Sequence, residues 1–212
     1  MFSTSTTATR AFAAWAAIGL TMANESLTSL PAHYERQLGE IVRGWSDEKQ
    51  THSIQVASFK GQTESGVTTF ATLGLSRYVL DLSGTRKIRQ ELLISANDVF
   101  SADAVAGLVL SLAELVVQRG NALLRGEVIG PGSPVIAGST LTAVYITNPS
   151  PFDNSLTKFV SESPATVFAY LVPITATEAA LVREHGWRWF EDQLEEQNPD
   201  IWDLERSDVI RQ

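Results

Sequence analysis

The sequence contains no cysteine. A disulfide framework, a thiolate zinc site and a cysteine nucleophile are therefore excluded. Three histidines are present, His33, His52 and His185, and none has a second ligand at H-x-x-x-H or H-E-x-x-H spacing. We therefore expect no metal and no other cofactor. The lack of cysteine is also typical of a cytoplasmic protein, and we expect this localisation.

Basic residues are outnumbered: 16 Lys and Arg stand against 24 Asp and Glu, giving a net charge of −8 at pH 7. Nucleic-acid binding requires a basic surface that contacts phosphates, and docking on anionic lipid requires the same sign of charge. We therefore expect neither a nucleic acid nor a membrane as a partner.

The apolar run "AFAAWAAIGL" after Arg10 has ten residues, too few to span a bilayer. A single preceding charge and the lack of a clear A-x-A site argue against a signal peptide. We interpret residues 1–24 as a leader, or as an over-extended gene start ahead of Met22. A signal peptide and an ordered helix remain as alternatives.

The rest of the chain has the composition of a soluble globular protein. The chain has 212 residues, of which 44% are apolar and 19% are charged. This length and apolar content are sufficient for one domain with a sizeable core.

The first half of the chain predicts one helix, three strands and a second helix. "SLPAHYERQLGEIVRGW" (29–45) is predicted to be helical because its apolar residues recur at helical spacing. These residues are Tyr34, Leu38, Ile41, Val42 and Trp45. "HSIQVASFKG" and "SGVTTFATLGLS" are predicted to form a hairpin, and "RQELLISAN" (89–97) a third strand. Ser101 is predicted to cap the next helix and Gly120 to end it.

The second half predicts two strands and two helices. "TLTAVYITNP" and "ATVFAYLVPI" are strand-like. Thr175 and Glu178 form a T-x-x-E capping box, which starts a helix that ends at Gly186. A last helix follows, and Asn198–Pro199 indicates a cap and one more helical turn.

Helices and strands do not alternate strictly in this series, so a doubly wound parallel sheet is not favoured. We expect an α+β fold, an α/β sandwich in which helices pack a mixed, largely antiparallel sheet in a single domain.

The sequence "GLSRY" (74–78) resembles the nucleophile elbow G-x-S-x-G, but Tyr78 stands where the strained turn needs a small residue. "YVLDLSG" follows, which is not helical. A hydrolase using Ser76 is therefore disfavoured.

The C-terminal part is rich in carboxylates, with Arg188 and Arg206 as the opposing charges. From residue 184 onward these acids are Glu184, Glu191, Asp192, Glu195, Glu196, Asp200, Asp203, Glu205 and Asp208. We expect them to point outward, opposite a face formed by Trp187, Phe190 and Leu194, with Trp187 in the core. Such a face is either a solvated helix surface or a docking patch for a basic protein. A glycosidase-type carboxylate pair is disfavoured, because it requires two acids in different environments.

The series of elements resembles the suppressor of fused domain. The resemblance is carried by "TTFATLGLS" (68–76), "ELLISAND" (91–98), a helix ending "LAELVVQRG", "GSTLTAVYITNP" (138–149) and "VFAYLVPITATEAALVREHG" (167–186). It extends over roughly residues 27–196, and the bacterial single-domain branch of the family is the most similar.

The resemblance implies an α/β sandwich that binds proteins and performs no catalysis. The animal member sequesters Gli transcription factors in a cleft between two domains, closing over a peptide added as a strand. We do not carry this mechanism over, because the chain is too short for the second domain. Bacterial members are proposed to be immunity proteins that neutralise toxin domains, often nucleases. The resemblance places no catalytic residue in this chain.

The sequence therefore predicts a leader over residues 1–24, a suppressor of fused-like domain over 25–196 and an acidic C-terminal extension over 197–212. We expect a non-enzymatic protein that binds a basic partner, with a nuclease-type toxin domain as the candidate. The predicted contact residues are Glu191, Asp192, Glu195, Glu196, Asp200, Asp203, Trp189 and Trp202. The alternative is a regulatory or scaffold domain that binds an extended peptide at a free sheet edge near "TLTAVYITNP".

Overall fold

The computed structural model describes residues 29–46, 52–61, 63–82, 84, 86–152 and 154–209. Within these ranges the chain forms four α-helices and nine β-strands. The helices are α1 (Leu30–Leu38), α2 (Ala102–Arg119), α3 (Ala176–His185) and α4 (Trp187–Gln197). The strands are β1 (Gly39–Ser46), β2 (Gln55–Gly61), β3 (Val67–Leu73), β4 (Leu80–Leu82), β5 (Arg86–Asn97), β6 (Val128–Ile129), β7 (Ala143–Thr147), β8 (Lys158–Phe159) and β9 (Thr166–Ile174).

The strands form one open sheet in the order β1-β2-β3-β5-β9-β7-β6, with β4 paired to β5 and β8 paired to β9. The contact between β5 and β9 is parallel, and the other pairs are antiparallel. The expected mixed, largely antiparallel sheet is therefore confirmed, as is the predicted hairpin of β2 and β3.

Helices cover both faces of the sheet. Leu92 and Ile94 of β5 pack in the cluster that contains α2, whereas Leu93 between them packs in the cluster that contains α1, α3 and α4. Successive strand residues point to opposite faces, so both sets are buried at once. Each fully buried side chain of this kind contributes about 1.5–3 kcal/mol. This arrangement confirms the predicted α/β sandwich.

The predicted helix caps are also confirmed. The Ser101 hydroxyl accepts a hydrogen bond from the Ala104 amide, and Gly120 ends α2 in the left-handed conformation. At α3 the Thr175 and Glu178 side chains accept hydrogen bonds from each other's backbone amides, which completes the capping box.

The prediction of a helix over residues 29–45 is wrong in its second half. α1 ends at Leu38, and the chain continues directly as β1. Gly39 makes the change of direction with φ of 93°, and a Cβ on it would lie 2.1 Å from the Lys60 carbonyl oxygen of β2. Close strand pairing at a glycine therefore overrides the helical spacing of the apolar residues that follow.

The predicted helical turn after Pro199 is also wrong. Asn198 ends α4 with φ of 40°, and its amide donates to the Leu194 carbonyl. The following residues form turns without a helix. Residues up to 209 nevertheless pack on the core, with Leu204 and Val209 buried.

The free edge that was expected near "TLTAVYITNP" for peptide binding is not formed, because β6 covers this edge of β7. Val128 and Ile129 of β6 pair with Tyr145 and Val144. Backbone hydrogen bonds of 2.8 and 2.9 Å also join Ile146 to Gly126 and Glu127. The residues of β7 therefore have backbone partners on both sides.

The predicted leader and Met22 lie outside the described residues. In the part of the chain that the structure describes, no helix combines the length and apolarity that a membrane span requires.

Candidate partner-binding cleft

A cleft of about 810 Å³ opens on the sheet face that also carries α1, α3 and α4. Its floor consists of side chains from β3, β5, β7 and β9, including Tyr145, Thr147 and Tyr170. One wall is formed by α4 and the segment that follows it to Trp202. The lining also includes Glu64 in the turn before β3 and residues of the loop after β7.

Glu191 of α4 points into this cleft and is held by three side chains. Its Oε1 accepts hydrogen bonds of 2.8 Å from Tyr145 Oη and Thr147 Oγ1. Arg125 approaches both carboxylate oxygens, with 3.1 Å between its Nε and Oε1. The Glu191 side chain is only 21% exposed. A loop and two strand residues therefore fix α4 against β7.

These contacts shift the pKa values of Glu191, Arg125 and Tyr145. Burial acts to raise the pKa of Glu191, but the hydrogen bonds from Arg125, Tyr145 and Thr147 outweigh it, and the pKa lies below its ordinary value. The hydrogen bond with Glu191 raises the pKa of the Arg125 guanidinium. Burial and the hydrogen bond to Glu191 raise the pKa of Tyr145. Arg125 and Glu191 are thus a stable ion pair, and Tyr145 remains a hydrogen-bond donor.

Arg125 also stacks on an aromatic ring. Its guanidinium carbon lies 4.3 Å from the centre of the Trp187 ring at the start of α4. The next residue, Gly126, has φ of 89°, and a Cβ on it would lie 2.7 Å from the Trp187 Cβ. This close approach allows the 125–126 loop to lie directly on α4.

A second set of hydrogen bonds fixes the far end of the cleft. The Trp202 indole donates to the Tyr170 hydroxyl at 3.1 Å, and the Asn97 amide donates to Asp200 Oδ2 at 2.9 Å. The Asn97 backbone amide also donates to the Trp202 carbonyl at 3.0 Å. Burial raises the pKa of Tyr170 to about 12, so its hydroxyl stays neutral. The segment 200–202 is therefore anchored to the end of β5 and to the middle of β9.

The cleft is acidic. Its charged lining residues are Glu64, Arg125, Glu191, Glu195 and Asp200. Because Arg125 pairs with Glu191, the other three carboxylates have no opposing charge among the described lining residues. The arrangement favours a cationic group in the cleft.

The structure separates the predicted contact residues into two groups. Glu191, Glu195, Asp200 and Trp202 line the cleft. The others lie outside its lining: Asp192 and Glu196 are exposed, Trp189 is half-buried against His185, and Asp203 accepts a hydrogen bond from the Glu205 amide.

Two expectations about this segment are wrong. Glu191 does not point outward, because Arg125, Tyr145 and Thr147 bind its carboxylate. Trp187 is half-buried and not in the core, and the guanidinium groups of Arg125 and Arg188 lie over its ring.

Sequence reasoning did not identify the partners of Glu191 or the floor residues Asn97 and Tyr170. Tyr145 and Thr147 did carry a signal, since two polar groups recur at strand spacing on one face of "AVYIT". Nothing in the loop around Arg125 marks it as the ion-pair partner of a residue 66 positions away.

Ser76 lies outside the lining of the cleft, in the 3-10 turn Leu75–Arg77. Its amide and that of Gly74 each donate to the fully buried Glu91 at 3.0 Å. Burial raises the pKa of Glu91 despite these hydrogen bonds. Extended backbone at Tyr78 follows the turn, so the strand-to-helix geometry of a nucleophile elbow is not formed.

Among the described residues, no group of three or more His, Asp or Glu side chains is arranged so that it could hold a metal ion.

The sequence of this chain is similar to those of known proteins. The sequence profile of the family described as "Suppressor of fused protein (SUFU)" matches residues 50–207. "Immunity protein YqcF" of Bacillus subtilis (strain 168) is 26% identical over 177 residues, which cover 81% of this chain and 88% of that protein.

Two solved structures share the fold. A SUFU homologue from Neisseria gonorrhoeae FA 1090 superposes with a TM-score of 0.68 at 18% identity, covering 92% of this chain and 100% of that one. A chain of the Sufu–Fu complex superposes with a TM-score of 0.63 at 14% identity, covering 93% and 91%.

Proposed function

Because this chain belongs to the suppressor of fused family, we propose that it is an immunity protein that binds a toxin domain and neutralises it. It acts by binding and not by catalysis. Its partner is a basic protein such as a nuclease-type toxin domain, and it acts in the cytoplasm of a bacterium.

The observation that carries this proposal is the similarity to an immunity protein along 81% of this chain and 88% of the relative. A match of this extent involves most of the chain, and not one shared motif. The fold is also shared with a chain of the Sufu–Fu complex, an example of this fold in a protein complex.

The charges of the molecule support a basic partner. The cleft holds three carboxylates without an opposing charge among its described lining residues, and Asp192 and Glu196 are exposed on the same helix. A nuclease needs a basic surface to bind phosphates, and an acidic inhibitor gains association rate and selectivity from the complementary potential.

The test is co-expression with the toxin domain encoded by the neighbouring gene. We expect cells that produce the toxin domain to grow when this chain is present, and the two purified proteins to elute as one complex from gel filtration. The proposal is wrong if no toxin gene is a neighbour, or if co-expression leaves toxicity unchanged.

A charge-reversal variant tests the acidic surface. Asp192→Lys combined with Glu195→Lys and Glu196→Lys is expected to abolish protection while the circular dichroism spectrum remains native. Glu35→Lys combined with Glu40→Lys reverses exposed acids on α1 and β1 and is expected to protect fully. Protection by both variants would exclude the α4 acids as the contact.

A further inference from the structure

We propose that the cleft binds an arginine side chain, presented by a loop of the partner, between the Glu195 and Asp200 carboxylates and the Trp202 ring. This inference rests on the proposed function in taking the partner to be a basic protein. It adds a specific pocket and a specific side chain.

The first support is the charge that remains inside the cleft. Arg125 is neutralised by Glu191, whereas Glu195 and Asp200 have no ion-pair partner among the described residues. Each oxygen of Asp200 accepts one hydrogen bond, from Asn97 or from the Trp202 amide. A carboxylate oxygen accepts two, so Asp200 is held in place with capacity for a further donor.

The second support is the shape and chemistry of the floor. The half-buried Trp202 lines the cleft, and its indole donates to the hydroxyl of the buried Tyr170, which holds the Trp202 ring in place. The accessible part of the Trp202 ring next to carboxylates suits a guanidinium, which stacks on rings and donates in its own plane. A volume of about 810 Å³ is in the range of ligand sites and admits a short loop together with its side chain.

The third support is a guanidinium already bound in the same wall. Arg125 contacts both oxygens of Glu191 and stacks on Trp187. Glu195 lies one helical turn further along α4, so it faces the same side of the helix. Arg125 is thus bound by a carboxylate, Glu191, and an indole, Trp187. The cleft offers the same two residue types in Glu195 and Trp202.

The same comparison favours arginine over lysine. A lysine ammonium is a strongly hydrated point charge and makes no bidentate contact with a carboxylate. The planar guanidinium satisfies a carboxylate and an aromatic face together.

The direct test uses a small probe, N-acetyl-L-arginine N-methylamide, titrated into the isotope-labelled protein and followed by amide and indole NMR signals. We expect saturable shifts at Asn97, Glu195, Asp200 and the Trp202 indole. The citrulline analogue has the same shape without the charge, and we expect no saturable shift with it. Equal shifts with both probes, or shifts centred away from the cleft, would overturn the proposal.

Two variants of equal charge provide the control. Glu195→Gln with Asp200→Asn removes two carboxylates of the cleft lining, and Asp192→Asn with Glu196→Gln removes two carboxylates of α4 that lie outside the lining. We expect the cleft variant to weaken probe binding about tenfold, because each charged hydrogen bond contributes at this level. The control variant is expected to bind the arginine probe with a Kd within about twofold of that of the unmodified chain, because a charge outside the cleft acts weakly at a distance. A similar loss in both would refute a specific pocket.

The same pair separates this inference from the proposed function. If the unmodified chain neutralises the toxin and the cleft variant neutralises it equally well, the pocket is wrong and the immunity role stands. If the probe binds in the cleft but no toxin is neutralised, the immunity role is wrong and the arginine pocket stands.

Discussion

The pair of Arg206 and Glu178 is the most deeply buried ion pair in the described part of the protein. Nη1 and Nη2 lie 2.7 and 2.8 Å from the two carboxylate oxygens, and the side chains are 6% and 0% exposed. Arg206 Nη2 also donates to the Pro173 carbonyl, and the Val209 amide donates to Glu178. One residue thus links the C-terminal segment to α3 and β9.

Arg206→Met is therefore expected to lower the free energy of unfolding by about 3–5 kcal/mol, because it leaves the Glu178 charge buried without its partner. Arg206→Met combined with Glu178→Gln is expected to recover part of the loss, since no charge then remains. Urea denaturation of the single and double variants measures both. A single variant as stable as the unmodified chain would contradict the prediction.

His33 is expected to make stability depend on pH. Burial and the nearby Arg36 lower its pKa below 6.5, and its ring packs between Phe159 and Phe168. The unfolded chain then takes up the proton first. The stabilising contribution of neutral His33 is present above about pH 6.5 and is lost as the pH falls through the lower folded-state pKa.

His33→Phe retains a ring and removes the titration. We expect its free energy of unfolding to fall less than that of the unmodified chain between about pH 7.5 and pH 5.5. His185→Gln removes an exposed imidazole and serves as the control. If the free energy of unfolding depends on pH in the same way in His33→Phe and in the unmodified chain, His33 is not the group that causes the pH dependence.

At the scale of elements, the contact between the 125–126 loop and α4 depends on a glycine. Gly126→Ala places a Cβ 2.7 Å from the Trp187 Cβ at a positive φ. We expect a loss of about 1–3 kcal/mol from strain and overpacking, together with displacement of α4 and weaker partner binding.

The matched control is Gly132→Ala, where a Cβ meets nothing within 4 Å. We expect it to leave stability and binding nearly unchanged. Thermal unfolding and the arginine-probe titration measure the two effects, and equal behaviour of both alanine variants would contradict the role of Gly126.

Elements were predictable where a local signal was strong. β2, β3, β5, β7 and β9 combine β-branched residues with clear ends, and the caps at Ser101 and Thr175 define where helices begin. β1 was missed because Ile41, Val42 and Trp45 also fit helical spacing, and the decisive contact is between Gly39 and β2. Propensity is a weak prior when strand pairing competes with it.

The candidate site was predictable only in part. The acids of α4 and Trp202 were identified from composition, but their division into cleft and outer face was not. Which carboxylate is buried depends on the Arg125 loop and the register of β7, both distant in sequence. Long-range packing of this kind leaves no periodic pattern along the chain.

For the whole molecule, the segment after α4 is expected to be needed for folding. The sequence-based boundary at residue 196 assigns it to an extension, whereas Leu204 and Val209 are buried, and Ser139 donates to the Leu204 carbonyl. A chain ending at 196 would expose this core and leave Glu178 without Arg206. We expect it to lose cooperative thermal unfolding, while a chain ending at 209 retains it. Cooperative unfolding of the shorter chain would support the boundary at 196.

The excess of acid over the whole molecule, 24 Asp and Glu against 16 Lys and Arg, should act on the rate of association. If the partner is basic, complementary potentials accelerate encounter, and added salt screens them. We expect the association rate constant with the neutralised toxin domain to fall at least about tenfold between about 0.05 and 0.5 M salt, with a much smaller change in the dissociation rate. Asp192→Asn with Glu196→Gln should flatten this salt dependence, because charges outside the cleft act mainly on encounter. Glu195→Gln with Asp200→Asn should instead raise the dissociation rate, because it removes contacts made in the complex. Stopped-flow kinetics at several salt concentrations separates the two, and an association rate independent of salt would exclude electrostatic steering.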